Sequence, residues 1–130
     1  MGKLERLLEI RKELQTMGDF ENCLDGVIGE MYAIERLNMI KTDAHTKGID
    51  GYINNKSVQV KTKGGKKIYS DSQHYIQIKS DYEINIDLLL MVFITNKQVT
   101  HRGPFERNKC IGRQYKNGTY KRYYLSDMKL

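Results

Sequence analysis

The sequence has little of what membrane and secreted proteins carry. Its longest apolar run, Leu88 to Ile94, has the length of a strand, whereas a helix that spans a bilayer takes about 20 apolar residues. The first residues, MGKLERLLEIRKEL, are charged throughout, which is not typical of a secretory signal. Two cysteines, Cys23 and Cys110, lie far apart, so they form no metal-spaced cluster and favour a reducing compartment. We therefore expect a cytoplasmic protein that does not contact membranes.

Signatures of several common enzyme sites are also missing. The three histidines, at positions 45, 74 and 101, are scattered and lack the spacing of zinc ligands. The segment KTKGGKK lacks the Lys-Ser/Thr pair of a phosphate-binding P-loop, and no serine has the surroundings of a nucleophile elbow. Zinc enzymes, P-loop NTPases and serine hydrolases are therefore not indicated.

Length and charge point to one basic domain. The chain has 130 residues, enough for one domain over 1–130 with its own core. Its net charge of +6 and sequence pI near 9.3 favour an anionic partner. A basic protein without such a partner is the alternative.

Two amphipathic helices are predicted at the start of the chain. The first covers 3–17, with Gly18 as its C-cap, and the second covers 20–37, with Asp19 as its N-cap. The apolar stripe predicted for the second helix consists of Leu24, Val27, Met31 and Ile34. Glu30 borders this stripe, and taken alone it is interpreted as a surface carboxylate.

The stretch GIDGYINNKSVQVKTK, residues 48–63, is predicted to be a β-hairpin with its turn at Asn54-Asn55, because asparagine tolerates positive φ. Alternation along the strands places polar side chains on one face: Asp50, Gln59 and Lys61. The apolar side chains are placed on the other: Ile49, Ile53, Val58 and Val60. Because polar groups on a packed strand are costly without a use, the hairpin is the candidate site.

Further strands follow. HYIQIKS is predicted as a third strand, 86–95 as a central strand buried on both faces, and QVTHR as a strand after a turn at Asn96-Lys97. Beyond Pro104 the sequence fits either a short helix or a loop. Gln77-x-Lys79 repeats the Gln-x-Lys tripeptide, so what distinguishes the first copy is Asp50 opposite Gln59.

The C-terminal segment IGRQYKNGTYKRYY is predicted to be a hairpin with a type I′ turn at Asn117-Gly118. One face then carries Arg113, Tyr115, Tyr120, Arg122 and Tyr124, and the other Gln114, Lys116, Lys121 and Tyr123. Basic residues interleaved with tyrosines suit nucleic acid, although strand propensity and protection of a sheet edge explain them equally well. The predicted nucleic-acid-binding residues are Lys63, Lys66, Lys67, Arg113, Tyr115, Lys121 and Arg122. The basic loop that holds the first three also fits a solvated turn.

The hairpin carries groups suited to metal-assisted hydrolysis of phosphodiesters. Mg²⁺ prefers hard oxygen ligands, and Asp50 offers a carboxylate, Gln59 an amide oxygen and Val60 its backbone carbonyl. Lys61 can orient or deprotonate a water and neutralise charge on the transition state. Glu30, on a helix packed over the sheet, can supply the charge that a glutamine lacks.

Glu30 on a helix, then Asp50, then Gln59-Val60-Lys61 resembles the PD-(D/E)xK nuclease superfamily, and Gly-Ile-Asp-Gly with Val-Gln-Val-Lys resembles its Gln-x-Lys branch. The entry Gly29-Glu30 is similar to that of small archaeal Holliday-junction resolvases. The resemblance covers roughly residues 20 to 95. It departs from the pattern where isoleucine replaces the proline before Asp50, and where Gln59 removes a negative charge.

The resemblance implies a restriction-endonuclease-like α/β (α+β) fold, with a mixed sheet of about four to five strands flanked by helices. It also implies cleavage of DNA dependent on Mg²⁺ or Mn²⁺, in restriction, defence or phage recombination. The implied catalytic residues are Glu30, Asp50, Gln59 and Lys61, and the implied metal ligands Asp50, Gln59, Val60 and Glu30. A catalytically inactive nucleic-acid-binding module and a protein-interaction domain of the same fold are the alternatives. Cleavage of both strands would favour a homodimer.

Overall fold

Two α-helices open the fold in the computed structural model, which describes residues 2–18, 23–42, 48–65, 70–95 and 98–128. Helix α1 spans Lys3–Gln15 and helix α2 spans Asp25–Leu37. Asn38 ends α2 in the left-handed conformation, and its backbone N–H donates a hydrogen bond to the carbonyl of Ala33. The predicted N-cap of α2, Asp19, lies outside the described residues, and α2 begins at Asp25 rather than at residue 20.

A five-stranded mixed sheet forms the centre of the fold, in the order β1-β2-β3-β5-β6. Only β3 and β5 pair in parallel among these strands. The bounds are Ile40–Lys41 for β1, Gly51–Ile53 for β2, Lys56–Gly64 for β3, Leu88–Ile94 for β5 and Val99–Glu106 for β6. The predicted fold class and number of strands are confirmed.

A second, three-stranded antiparallel sheet packs on this main sheet, in the order β4-β8-β7. Its strands are β4 at Tyr75–Lys79, β7 at Gly112–Tyr115 and β8 at Tyr120–Tyr124. The C-terminal hairpin has the predicted register, since Arg113 pairs with Arg122 and Tyr115 with Tyr120. The strand predicted in HYIQIKS is correct, and it joins this hairpin rather than the main sheet.

Strand β5 explains how three layers form. Every residue of Leu88–Ile94 is buried. Its even-numbered residues belong to a first cluster shared with the helices, and its odd-numbered residues to a second cluster shared with β4 and β8. Because side chains alternate across a strand, a strand between two layers must be apolar on both faces, as the uninterrupted run predicts.

Helix α2 approaches the sheet closely at Gly29. The buried apolar face of the helix comprises Ile28, Gly29, Tyr32 and Ala33. A Cβ built on Gly29 would lie 1.8 Å from Oγ1 of Thr62 on β3, so the missing side chain permits the close approach. Val27 is 50 % exposed, and its predicted place in the buried stripe is therefore wrong.

Strand β6 continues through Pro104 to Glu106, and a short 3₁₀ turn, Arg107–Lys109, follows. Neither described helix is long and apolar enough to cross a membrane.

Candidate active site

The β2–β3 hairpin forms as its turn residues predict. Asn54 and Asn55 have φ values of 50° and 65°, the left-handed conformation that a type I′ turn requires. The register pairs Ile53 with Lys56, Tyr52 with Ser57 and Gly51 with Val58. Beyond Val58, β3 pairs with β5 on one side, and no described strand covers its other side. The hairpin therefore leaves an open edge on β3.

Asp50 lies at this open edge, immediately before β2. Its backbone N–H donates to the carbonyl of Val58 at 2.8 Å. Its carboxylate Oδ2 accepts the backbone N–H of Val60 at 2.7 Å. Strand N–H groups point along the sheet rather than out of it, so the carboxylate lies beside the edge of β3.

The predicted apolar face of the hairpin is partly wrong. Val58 and Ile53 belong to the first cluster and Val60 packs against it, as predicted. Ile49 packs against the second cluster instead. Since β2 begins only at Gly51, the alternation of a strand does not extend back to Ile49.

A second carboxylate reaches Asp50 from helix α2. The side chains of Asp50 and Glu30 lie close enough to form a hydrogen bond when one of them holds a proton. Burial, together with the nearby Glu30, raises the pKa of the Asp50 carboxyl to about 6, although the Val60 amide and Lys41 act in the opposite direction. Two carboxyl groups thus share a partly desolvated position, where ionisation of both is unfavourable.

Gln59, Val60 and Lys61 line a groove of about 530 Å³ together with Glu30. On β3, Val60 packs toward the helices, whereas Gln59 and Lys61 pair with Leu89 and Met91 of the second cluster. Gln59 and Lys61 therefore project from the sheet face opposite α2. These four residues thus meet at the open edge of β3. Glu30 and Val60 lie on the sheet face that packs against α2, and Gln59 and Lys61 lie on the opposite face.

Lys41 is a component of the site that the sequence interpretation missed. Its Nζ lies 3.1 Å from Oε2 of Glu30, and its side chain is 57 % exposed. Lys41 occupies β1, which pairs with β2. This two-residue strand lies between the second predicted helix and the predicted hairpin, where no strand was predicted, and two residues are too few to show alternation.

The donor set fits a hard cation such as Mg²⁺ or Mn²⁺. Glu30 and Asp50 supply two carboxylates in contact, which oppose each other unless a positive charge lies between or beside them. No group of three or more His, Cys, Asp and Glu side chains suited to a metal ion occurs in the described part of the chain. A metal here would thus rely on the two carboxylates, on neutral oxygens of Gln59 and Val60, and on water.

The predicted nucleic-acid-binding residues divide into three groups. Arg113 pairs with Asp127 at 3.0 Å, and Lys121 pairs with Glu83 at 2.9 Å. Arg122 lies between the rings of Tyr115 and Tyr75, and Lys63 reaches the edge of the same surface at Tyr75. Lys66 and Lys67 lie outside the described residues. Among the described cations of this set, Lys63 and Arg122 therefore form no ion pair with a described carboxylate. The uncharged Tyr115 lies against Arg122.

Lys121 has a structural role beneath the second sheet. Together with the hydroxyl of Tyr123, it donates a hydrogen bond to Glu83. Burial alone would raise the pKa of Glu83, but these two hydrogen bonds lower it. Burial and the bond to Glu83 raise the pKa of Tyr123 to about 12. The ion pair with Glu83 thus neutralises the charge of Lys121 within the protein.

Comparison of the sequence with models of known protein families and with curated proteins gave no match. The resemblance to PD-(D/E)xK nucleases therefore stays a prediction based on the residues themselves.

Proposed function

We propose that this protein is a metal-dependent endodeoxyribonuclease with its active site at the open edge of β3. The observation that carries the proposal is the contact between the carboxyl groups of Asp50 and Glu30. Two partly buried carboxylates in contact destabilise a fold unless a cation or a proton compensates them. A divalent metal would provide that compensation.

Asp50 and Glu30 would hold the metal, with oxygens of Gln59 and Val60 completing the protein ligands. When bound, the metal would polarise a phosphodiester and lower the pKa of a coordinated water. The N–H of Val60 fixes the Asp50 carboxylate, so its orientation does not depend on the metal. Lys61, in the same groove, would accept a proton from the attacking water or hold that water by a hydrogen bond, and offset negative charge on the phosphate.

The test is cleavage of supercoiled plasmid and of branched DNA with Mg²⁺ or Mn²⁺. We expect Asp50→Asn and Lys61→Ala each to reduce cleavage by about 100-fold or more. Lys56→Ala is the matched control, because Lys56 lies on the same strand and pairs with Glu106 away from the groove. Equal cleavage by the wild type and both site variants would refute the proposal.

A second candidate is a nucleic-acid-binding module without catalysis. The observation that favours it is the ion pair of Lys41 with Glu30, since the ammonium supplies part of the positive charge that a metal would bring. Calorimetric titration with Mn²⁺ separates the candidates. Binding that disappears in Asp50→Asn supports the nuclease. DNA binding that EDTA leaves unchanged, with no Mn²⁺ binding, supports the module.

A further inference from the structure

We propose that the outer face of the second sheet binds an unpaired DNA strand next to the active site. This inference deepens the proposed function and rests on it for the identity of the ligand as the nuclease's substrate. The residues that form the surface, called here the tyrosine face, are Tyr75, Gln77, Lys79, Arg113, Tyr115, Tyr120, Arg122 and Tyr124. None of them is acidic.

Strand register places these residues in rows. Tyr75 pairs with Tyr124 and Gln77 with Arg122 across β4 and β8. On β7 and β8, Arg113 pairs with Arg122 and Tyr115 with Tyr120. The alternate residues Ile76, Ile78 and Tyr123 are buried in the second cluster. Because side chains alternate, the tyrosine face points away from the core.

Arg122 holds the centre of the tyrosine face in a fixed position. Its guanidinium carbon lies 3.5 Å from the ring centroid of Tyr115 and 4.3 Å from that of Tyr75. Its Nε donates to Oε1 of Gln77 at 2.9 Å. No described carboxylate forms an ion pair with Arg122, so its charge stays available for phosphate while stacking orders the side chain.

Further cations extend the surface at both ends. Lys116 lies 5.8 Å from the ring centroid of Tyr115. Lys63 lies 5.8 Å from that of Tyr75, and it is two residues beyond Lys61 on β3. Alternate residues of a strand share a face, so Lys61 and Lys63 form a basic path from the groove to the tyrosine face.

The mixture of rings and cations suits an unpaired strand better than a duplex. Stacking on tyrosine requires the flat face of a base, which in a duplex is covered by neighbouring base pairs. Cations spaced among the rings match a phosphate backbone. Aromatic and arginine residues are also enriched at protein interfaces, so a protein partner is the competing occupant that the experiment must exclude.

The test is fluorescence anisotropy with a labelled oligodeoxythymidylate of about 15 nucleotides, in EDTA so that no cleavage occurs. A blunt hairpin duplex of equal charge is the second probe. We expect the full chain to bind the single strand more tightly than the duplex. We expect Arg122→Ala to weaken single-strand binding by about tenfold or more, and Tyr115→Leu by at least about fivefold.

Two variants serve as controls. Arg6→Ala removes the same charge from an exposed position on helix α1 and should change affinity by less than about twofold. Arg122→Lys keeps the charge but loses the planar stack, so its affinity should fall between those of Arg122→Ala and the wild type. Far-UV circular dichroism confirms that each variant is folded.

Tighter binding of the duplex, or equal loss with Arg6→Ala and Arg122→Ala, would overturn the inference. Affinity unchanged in both Arg122→Ala and Tyr115→Leu would also overturn it and would leave a protein as the occupant to test. The proposed function fails separately: a chain that binds the single strand through this surface but never cleaves DNA contradicts only the nuclease. Cleavage without any effect of the surface variants contradicts only the tyrosine face.

Discussion

Helix α2 carries two acidic residues whose surroundings differ sharply. Asp25 lies in the first turn and accepts a hydrogen bond from Nε of Arg11 at 2.8 Å, with both side chains nearly inaccessible to solvent. Glu30, little more than one turn later, contacts another carboxylate, Asp50, and an exposed lysine, Lys41. A matched buried pair serves the fold, whereas an incompletely compensated pair of carboxylates is what a cation-binding site requires.

The largest effect should come from breaking the matched pair. Arg11→Ala leaves Asp25 buried without its partner, so we expect the free energy of unfolding to fall by about 3–5 kcal/mol in urea titrations. Arg6→Ala, on the exposed side of the same helix, should change it by less than about 0.5 kcal/mol. Replacing Arg11 and Asp25 together by Met and Leu should recover most of the loss. Similar values for the two single variants would show that the pair has no special role.

An intermediate effect is expected at the glycines between the two acidic residues. Gly29→Ala places a methyl group against Thr62 and should destabilise the fold by about 1–3 kcal/mol. Gly26→Ala meets no atom within 4 Å and should stabilise the helix by up to about 1 kcal/mol. Thermal unfolding of the two variants measures both effects. A stabilising Gly29→Ala would contradict the close contact that positions Glu30.

The smallest effect, and the most informative, concerns the charge of Asp50. Its folded-state pKa is raised to about 6 from 3.8, so between these values the folded chain binds more protons than the unfolded chain. The free energy of unfolding therefore loses a contribution as pH rises from about 4 to 6. In EDTA, Asp50→Asn keeps an oxygen for the Val60 amide and lacks this loss. The variant should be more stable than the wild type at pH 7 by on the order of 1 kcal/mol, after allowance for solvent screening.

Comparison of the urea stability of the wild type and Asp50→Asn at pH 4 and pH 7 checks this prediction. The advantage of the variant should be larger at pH 7 than at pH 4. A difference that is independent of pH, or larger at pH 4, would contradict a raised pKa at Asp50.

Local sequence signals predicted the two hairpins and the buried strand. Asn54-Asn55 and Asn117-Gly118 favour positive φ by themselves, and a uniformly apolar β5 needs only its composition to be recognised. The second sheet was not predicted because β4 and β8 lie about 40 residues apart in the chain, and no local pattern encodes such a pairing. Exposure of Val27 was missed because α2 approaches β3 most closely at Gly29, which has no side chain to mark that face in the sequence.

In the site, too, local features were predicted and tertiary contacts were not. Turn register placed Asp50 beside β3, but the hydrogen bond that the Val60 N–H donates to its carboxylate depends on where β2 begins, which an alternating pattern does not define. Lys41 was not predicted as part of the site because its strand has only two residues. The resemblance implied that Glu30 belongs to the same site as Asp50, but the contact between them depends on the approach of α2 at Gly29, which is a tertiary feature.

The bond between Asp50 and Val60 also affects what the open edge of β3 offers to a second molecule. An unpaired strand edge offers N–H and C=O groups to which a second molecule can add a strand. At the open edge of β3, the Asp50 carboxylate occupies the Val60 N–H, and charged side chains at Lys61 and Lys63 follow along the same strand. A side chain proposed for catalysis thus also occupies one donor of this edge, and we expect its replacement by alanine to leave the Val60 N–H free for intermolecular β-pairing.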